Sequence, residues 1–322
     1  MRRTVLLFLI LAGALRAVGQ ERVSVAFYNV ENLFDTIPSL FYDDSDYTPS
    51  GRNRWDTERY RRKTAHIARV IDEMAADVIA LAEVESEEVV RDLVAALHTD
   101  YNYIHRTSGD RRGMDLALLY KGDKFFPRKT VSVPAVGREF LHVSGRLRGV
   151  DVEIVVCHLP SNFNGSGYRS RAMQRLYDFV QELHRSRRTD RIIVLGDFNA
   201  STTDKIMRRH FATGRRVADG NFYLFNPLHE AARKGAGSYV YHDRWVLFDH
   251  IFLGSGFGSD APMRYLRAGI FVRGYLLAGT GDASRFAPSS AAGYGYPLRT
   301  FSAGKYLGGY SDHLPVFCYF EL

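Results

Sequence analysis

One short stretch, residues 191–200, constrains the fold more than any other part of the chain. Ile192–Leu195 is a continuous, mostly β-branched apolar run, which is typical of a strand buried on both faces of a sheet. Asp197 and Asn199 follow it, and extended geometry would point both side chains to the same face. Open α/β sheets place their binding sites at the carboxyl ends of such strands. Taken alone, the pair is explained equally well as a polar turn.

Apolar strand-like runs alternate with helix-like segments along the rest of the chain. Helical spacing is found from about Asp56, over Glu87–Leu97 and from about Tyr168 to Arg185. The basic residues early in the first helix, Arg59, Arg61, Arg62 and Lys63, are assigned to its solvated face. Gly254–Gly309 is rich in Gly, Ser, Tyr and Arg, and is predicted to be a long excursion around a ligand site or a surface. We find no fixed-period repeat and no dividing linker, so the expected architecture is α/β in one layered domain.

The first nineteen residues have the features of a secretory signal peptide. Met1-Arg2-Arg3 is a basic start, Val5–Leu15 is an almost unbroken apolar run, and Ala17-Val18-Gly19 is a small-x-small cleavage site. We therefore expect residues 1–19 to be removed near Gly19, and residues 20–322 to form a single exported domain, periplasmic or extracellular. No later stretch is long and apolar enough to cross a bilayer.

Charge and cysteine content exclude some classes of protein. Removing the leader lowers the formal charge from +7 to +4, since three of the 43 basic residues are lost and the 36 acidic ones stay. A charge this small is compatible with an anionic substrate but does not by itself indicate nucleic acid. The two cysteines, Cys157 and Cys318, lie in apolar runs and are either a disulfide pair or two buried thiols. A disulfide-dense scaffold is excluded.

Six predicted strand ends carry residues that bind metal ions or transfer protons. They are Asn29 with Glu31, Glu83, His158, Asp197 with Asn199, Asp249, and Asp312 with His313. The ligands are mostly oxygen donors without the Cys/His spacing of zinc sites, which indicates a hard divalent ion such as Mg²⁺, Mn²⁺ or Ca²⁺. The chain has no G-x-S-x-G nucleophile elbow and no phosphate-binding P-loop or G-x-G-x-x-G after a strand.

The motifs at these strand ends resemble those of the endonuclease/exonuclease/phosphatase superfamily, which has the deoxyribonuclease-I-like fold. In order they are N-V-E-N (29–32), A-E-V-E (82–85), C-H-L-P-S (157–161), G-D-F-N (196–199), F-D-H-I (248–251) and S-D-H-L-P-V (311–316). The runs R-G-M-D-L-A-L-L-Y (112–120) and G-G-Y-S-D-H-L-P-V (308–316) are similar to an exported bacterial branch. The resemblance implies a four-layer α/β/β/α sandwich, with two mixed β-sheets face to face and helices outside, and metal-dependent cleavage of phosphate esters.

The resemblance also implies a role for each residue. Glu83 would be the principal metal ligand, with Asn29 beside it and Glu31 and Asp312 as further ligands. Asp197 would orient or deprotonate the attacking water, and Asn199 would hold a phosphate oxygen. His313 would be the general base or a phosphate-binding imidazole oriented by Asp249, and His158 would lie near the scissile phosphate and leaving oxygen.

Three functions remain open at this point. The first is a secreted, divalent-metal-dependent endonuclease acting as a monomer on nucleic acid. The second is a phosphatase or phosphodiesterase for a lipid or small phosphate ester, of the sphingomyelinase-like or inositol-phosphate phosphatase-like kind, because loops set the substrate on shared folds. The third is a binding protein without catalysis, which the complete set of polar strand ends disfavours.

Overall fold

The computed structural model describes residues 21–161, 166–187, 189–211, 224–279 and 295–322. The predicted leader therefore lies outside the described residues. In chain order the strands are β1 (Arg22–Leu33), β2 (Val78–Val84), β3 (Asn102–Arg106), β4 (Asp115–Tyr120), β5 (Phe125–Val133), β6 (Phe140–Leu147), β7 (Val150–His158), β8 (Ile192–Asp197), β9 (Leu224–Phe225), β10 (Tyr239–Tyr241), β11 (Arg244–Val246), β12 (Asp249–Gly254), β13 (Arg264–Ile270), β14 (Phe301–Ser302), β15 (Lys305–Tyr306) and β16 (Val316–Glu321). The helices are α1 (Thr57–Met74), α2 (Glu87–Ala95), α3 (Ser166–Arg187), α4 (Lys205–His210) and α5 (His229–Arg233).

Two six-stranded mixed sheets contain most of the strands. The first has the order β13-β16-β1-β2-β4-β3 and the second the order β5-β6-β7-β8-β12-β9. The pairs β1–β2 and β7–β8 are parallel, whereas β8–β12 and β1–β16 are antiparallel. The parallel pairs direct the carboxyl ends of four strands to the same end of the molecule. The hairpins β10–β11 and β14–β15 stand apart from both sheets.

Three apolar clusters separate four layers of secondary structure. Side chains from α1 and α2, such as Ile67 and Val90, pack on the outer face of the first sheet. Alternate strand residues of the two sheets, Ile193 and Leu195 among them, meet between the sheets. Ile192 and Val194 point the other way, towards α3. The predicted α/β/β/α sandwich is confirmed, and Ile192–Leu195 is buried on both faces as expected.

Two predictions about local structure and exposure were wrong. Within Gly254–Gly309, residues Arg264–Ile270 form β13, which pairs with β16 at the edge of the first sheet. The strand was missed because its half-exposed sequence RYLRAGI shows little apolar alternation. Residues 280–294 of the same region lie outside the described residues.

The assignment of Lys63 to the solvated face of the first helix was also wrong, because only 1% of its side chain is exposed. Its ammonium group donates to the Thr300 hydroxyl at 2.6 Å and to the Tyr310 carbonyl at 2.5 Å. A buried lysine is tolerated only with partners of this kind, and these come from a segment more than 230 residues away in the chain. The pattern of polar and apolar residues in α1 could not reveal these distant partners.

Cys157 and Cys318 are free, buried thiols on different sides of the second sheet. Cys157 belongs to the apolar layer beneath α3, whereas Cys318 lies in the layer between the two sheets. Of the two alternatives for the cysteines, the structure therefore has two buried thiols and not a disulfide pair. Among the helices of the described ranges, none has the length and apolarity to cross a membrane.

Gly196 allows β8 to approach β7 closely just before the polar pair. A Cβ atom at this position would lie 2.0 Å from the carbonyl oxygen of Cys157, which is fixed in the sheet. We therefore expect Gly196→Ala to lower the free energy of unfolding by about 3 kcal/mol through overpacking. Urea denaturation of the purified domain measures the change. Gly274→Ala is the control, because a Cβ atom there meets nothing within 4 Å. Equal stability of the two variants would contradict this account of the β7–β8 packing.

Candidate functional site

The predicted polar strand ends meet at one end of the two sheets. Sheet register places Asp197 beside His158 on β7 and opposite Asp249 on β12. Asn29 on β1 belongs to the first sheet, and its side chain reaches Asp197 across the sheet interface. The turn before β16 brings His313 to the same place. Residues that are far apart in sequence thus form one buried cluster, as the resemblance implies.

Asn29, Glu83 and Asp197 form the centre of this cluster. The Asn29 amide nitrogen donates to Glu83 Oε1 at 3.0 Å and to Asp197 Oδ2 at 3.1 Å, while its oxygen accepts from the Glu31 backbone at 3.0 Å. The two carboxylates are therefore held close together by one amide. Burial raises the pKa of Asp197 to about 7; the charges of Asp249 and Glu83 add to the rise, and His313 opposes it.

The backbone at this centre adopts left-handed conformations that non-glycine residues seldom take. Glu31, Asn32, Glu83 and Asn199 have φ values of 52°, 51°, 66° and 47°. The β1–β2 and β2–β4 pairings both shift register here, so the strands bulge where their side chains enter the site. Each non-glycine residue in such a conformation lowers the stability of the fold by about 1–3 kcal/mol. These residues cluster here because the strand ends must direct their polar groups into the site.

His313 and Asp249 form a short hydrogen bond deep in the cluster. His313 Nδ1 lies 2.7 Å from Asp249 Oδ2, and its Nε2 lies 3.8 Å from Asp197 Oδ2. Burial alone would lower the pKa of His313, but the Asp249 carboxylate, followed by Asp197 and Asp312, raises it well above its ordinary value. Tyr239 covers the imidazole, with ring centroids 4.7 Å apart. The arrangement favours an imidazolium whose Nε2 points towards Asp197.

His158, at the end of β7, approaches the carboxylates of Glu83 and Asp197. Its Nε2 lies 3.6 Å from Glu83 Oε1 and 3.7 Å from Asp197 Oδ2, and only 4% of its side chain is exposed. Burial, with the nearby charges of Arg138, His313 and Arg112, lowers its pKa well below the ordinary value. The cluster therefore contains one imidazole that favours the charged form and one that favours the neutral form.

Asn199 does not project alongside Asp197 as extended geometry would require. Its left-handed conformation turns the chain, so that the side-chain nitrogen donates to the Leu159 carbonyl at 2.9 Å. Its backbone nitrogen donates to Asp197 Oδ1 at 2.8 Å. Asn199 thus fixes the orientation of Asp197 and ties the β8 turn to the residue after His158.

Glu31 and Asp312 lie at the edge of the cluster, next to two cations. Glu31 Oε2 is 3.7 Å from Lys63 Nζ and accepts from the Thr300 backbone at 2.6 Å. Arg299 Nη2 donates to Asp312 Oδ2 at 2.7 Å. Burial, with the charge of Asp312, raises the pKa of Glu31 to about 7. Both carboxylates predicted as metal ligands are therefore engaged by basic side chains of the protein.

Four functional side chains escaped prediction from the sequence: Lys63, Arg138, Tyr239 and Arg299. Lys63 resembled an ordinary helical surface residue, and Tyr239 and Arg299 follow no apolar periodicity. The only available signal was proximity in sequence to a recognised motif, and for Arg299 that motif begins twelve residues later at Ser311. Two residues without a predicted role support loops instead: Glu85 accepts from the Asp35 backbone, and Asp115 accepts from the Ser108 backbone.

The donor set fits a hard divalent cation. Glu83 and Asp197 bring two carboxylates close together, and the Asn29 amide nitrogen that donates to both lies between them. Asp197, Asp249 and His313 also offer one ligand atom each within 4.8 Å of one another. At both positions a cation would displace an existing hydrogen bond, because Glu83 and Asp197 accept from the Asn29 amide and His313 Nδ1 is bonded to Asp249. Carboxylate and amide oxygens are the ligands that Mg²⁺ and Mn²⁺ prefer.

Arginines from four separate segments surround this acidic centre. They are Arg112, Arg138, Arg169 and Arg299. The first two are close enough to His158 for their charges to lower its pKa. Arg169 donates to the backbone carbonyl of Asn199, and Arg299 holds Asp312. Arg138 and Arg299 are paired with Asp110 and Asp312, so the positive charge at the border of the acidic centre is partly balanced within the protein.

Comparison with known proteins gives the same result. The sequence profile described as the Endonuclease/Exonuclease/phosphatase family matches residues 24–322. The chain belongs to this family. No curated protein sequence matches it. The family's enzymes hydrolyse phosphoester bonds with the help of a divalent metal ion, so this chain is a metal-dependent phosphoesterase at that level of description.

Solved structures with the same fold are distant in sequence. D. rerio TDP2 complexed with single strand DNA product has a TM-score of 0.58 and 14% identity, over 94% of this chain and 99% of that one. Bacteroides thetaiotaomicron mannosyl-6-phosphatase has a TM-score of 0.57 and 18% identity, over 92% and 99%. The human nocturnin catalytic domain with bound sulfate anion has a TM-score of 0.59 and 16% identity, over 93% and 94%. At these identities the likeness establishes the fold alone.

The buried carboxyl group of Asp197 predicts a pH dependence of stability in the metal-free protein. Its pKa is raised to about 7 in the folded chain, whereas an aspartate in the unfolded chain titrates near ~3.9. The folded state binds this proton more tightly, so stability from this group is present below pH ~4 and is lost as the pH rises to about 7. Asp197→Asn should therefore gain stability relative to the native protein over that interval.

Urea unfolding in EDTA at several values between about pH 4.5 and pH 7.5 measures this difference. Asp151→Asn is the control, because Asp151 is exposed and hydrogen bonds from Arg146 lower its pKa. That variant should show no gain as the pH rises. A difference between Asp197→Asn and the native protein that stays constant over the interval would contradict the burial argument.

Proposed function

We propose that the protein is an exported, divalent-metal-dependent endonuclease that hydrolyses phosphodiester bonds in nucleic acid. The observation that carries the proposal is the combination of a cation-binding acidic centre with arginines from four segments at its border. A polyanion offers phosphates both to the centre and to the border, whereas a small phosphate monoester would use only the centre. Strong salt dependence of binding is expected for such a substrate.

The residues of the cluster have different catalytic roles, which follow from their protonation states. A bound divalent ion, with Glu83 as its principal ligand, would neutralise negative charge on the scissile phosphate. Asp197, whose carboxylate is oriented by the Asn199 backbone N–H, orients a water molecule and accepts its proton. His313, held by Asp249, donates from Nε2 to a non-bridging phosphate oxygen, because its raised pKa favours the imidazolium.

His158 acts on the other side of the scissile bond. Its Nε2 points towards the oxygens of Glu83 and Asp197, and its lowered pKa favours the neutral imidazole. A neutral imidazole with a proton on Nε2 donates a hydrogen bond to the leaving oxygen without adding charge to a site that already attracts a cation. Asn199 keeps Asp197 aimed at the water rather than contacting the phosphate itself.

The fold neighbours support more than one substrate. D. rerio TDP2 was solved with a single strand DNA product, which supports nucleic acid. The mannosyl-6-phosphatase supports a small phosphate ester as the alternative. A lipid ester is favoured by one observation of this chain: Ile37, Leu40 and Phe41 are 72%, 93% and 93% exposed on the loop after β1. We place the nuclease first because arginines from separate segments border the acidic centre.

The leader and the assembly state enter the proposal as well. The basic start, apolar run and cleavage site of residues 1–19 support export before the enzyme acts. We propose a monomeric enzyme, since the acidic centre is built entirely from side chains of one chain.

A substrate panel with purified mature protein tests the proposed function. We expect cleavage of DNA or RNA in Mg²⁺ or Mn²⁺ that is abolished by EDTA, and little turnover of phosphomonoesters or phospholipids. His313→Ala should lower kcat by about 10³-fold and Asp249→Asn by about 10²-fold, because each removes transition-state hydrogen bonding or its orientation. His98→Ala is the control, as that exposed imidazole pairs with Asp72 away from the site. Turnover of a lipid or sugar phosphate without cleavage of any polynucleotide would refute the nuclease assignment.

A further inference from the structure

Two buried nitrogen atoms beside the acidic centre have no hydrogen-bond partner among the described residues. They are Nδ1 of His158 and Nη1 of Arg138. Only 4% of the His158 side chain and 10% of the Arg138 side chain are exposed. Buried nitrogens of this kind nearly always have a partner, either in the protein or in ordered water. The mechanism above uses Nε2 of His158 and leaves both of these atoms unexplained.

His158 and Arg138 line the same small cleft between β4, β6 and β7. The cleft has a volume of about 290 Å³ with its open mouth included, and the centre of a water molecule fits within about 10 Å³ of it, which is enough for about one water. Ser108 and Ser132 add hydroxyl groups to the lining. Arg106 and Glu139 line it too, but both are hydrogen-bonded to backbone groups. The rest of the lining is apolar, so the cleft supplies the few polar partners that a buried water needs.

The guanidinium of Arg138 is fixed by its other two nitrogens. Nε donates to Asp110 Oδ2 at 2.8 Å, and Nη2 contacts Met114 Sδ at 3.8 Å. Asp110 also accepts from the Arg112 backbone at 2.8 Å, so the carboxylate joins Arg138 to the turn before β4. Because a guanidinium is planar, these contacts also fix the direction of Nη1. Arginine has no acceptor, so Nη1 can only donate a hydrogen bond.

The two ring nitrogens of His158 have opposite surroundings. Nε2 faces carboxylate oxygens of Glu83 and Asp197 at 3.6 and 3.7 Å, and an ionised carboxylate can only accept. Nδ1 is the unpartnered atom, and the cleft beside the ring contains the donor Arg138 Nη1, whose charge is the first, after burial, among those that lower the pKa of His158. In a neutral imidazole the hydrogen bond at one nitrogen sets the proton on the other. Both sides of the ring therefore favour a proton on Nε2 and an acceptor at Nδ1.

We propose that one ordered water molecule in this cleft accepts a hydrogen bond from Arg138 Nη1 and donates one to His158 Nδ1. The water fixes His158 as the tautomer with its proton on Nε2, which is the one that can donate to the leaving oxygen. Arg138 is thus a positioning residue that acts through His158 and does not contact the phosphate. The inference rests on the proposed role of His158 in phosphoester cleavage, whereas the water and the tautomer do not depend on which ester is cleaved.

Nitrogen-15 NMR of the histidine rings in the full mature protein tests the tautomer without turnover. The His158 signals are identified by their absence in His158→Gln, at a slightly alkaline pH where the ring is neutral. In the native protein we expect a protonated Nε2 and an unprotonated Nδ1. Arg138→Met should lower the ratio of this tautomer to the other about tenfold, as expected for the loss of one hydrogen bond.

Two further variants separate the water bridge from a general loss of structure. Arg138→Lys keeps a cation for the buried Asp110 but lacks the second nitrogen that serves the cleft, so the tautomer ratio should fall as in Arg138→Met. It also serves if Arg138→Met does not fold. Arg264→Met is the matched control, because Arg264 also pairs with a buried carboxylate, that of Glu321 at the far end of β16 from His313. This variant should leave the tautomer ratio of His158 unchanged.

A high-resolution crystal structure of the native protein tests the water itself. We expect one water within hydrogen-bond distance of both Arg138 Nη1 and His158 Nδ1. An anion in its place, or a direct contact between the two side chains, would overturn the proposal. A proton on Nδ1 in the native protein, or an unchanged tautomer ratio in both Arg138 variants, would overturn it as well. Because neither readout involves turnover, failure of the nuclease assignment in the substrate panel is distinguishable from failure of this inference.

Discussion

The site depends on one amide group that holds two carboxylates together. Asn29 donates to Glu83 in its own sheet and to Asp197 in the facing sheet, at 3.0 and 3.1 Å. Two buried carboxylates at this spacing repel each other, and the raised pKa of Asp197 reflects burial with added repulsion from Asp249 and Glu83. The amide relieves part of this repulsion, and it also joins the two sheets at the point where the chemistry occurs.

The other groups of the cluster follow from this concentration of negative charge. His313 is stabilised as a cation, and Lys63 and Arg299 are held at the edge, since each lies within reach of a carboxylate. His158 is the exception, because burial, with the charges of Arg138, His313 and Arg112, lowers its pKa and favours its neutral form. One imidazole favours the charged form and the other favours the neutral form. One can therefore bind a phosphate oxygen and the other a leaving oxygen without exchanging roles.

The sequence predicted the parts of the site that sit on regular structure. Asp197, Asp249 and His158 lie at the ends of apolar runs, so their positions follow from strand periodicity and sheet register. What the sequence could not show are contacts between segments without periodicity. Lys63 looked solvated because its partners, Thr300 and Tyr310, lie far along the chain, and Arg299 lies in a region with no repeating pattern.

Local backbone geometry was the second limit of sequence reasoning. Asn199 was expected to project alongside Asp197, but its φ of 47° turns the amide towards Leu159 instead. Glu31 was expected to be a further metal ligand beside Asn29, but the β1 bulge directs it to Lys63. Extended geometry ends at these positions, and neither residue is a glycine or proline that would have indicated the change.

Anomalous diffraction from crystals grown with Mn²⁺ tests the central claim most directly. We predict an anomalous peak within coordination distance of the Glu83 carboxylate, at the end of the sheets where Asn29 and Asp197 meet. A peak between Asp249 and His313 without contact to Glu83, or no peak at this end of the sheets, would contradict it.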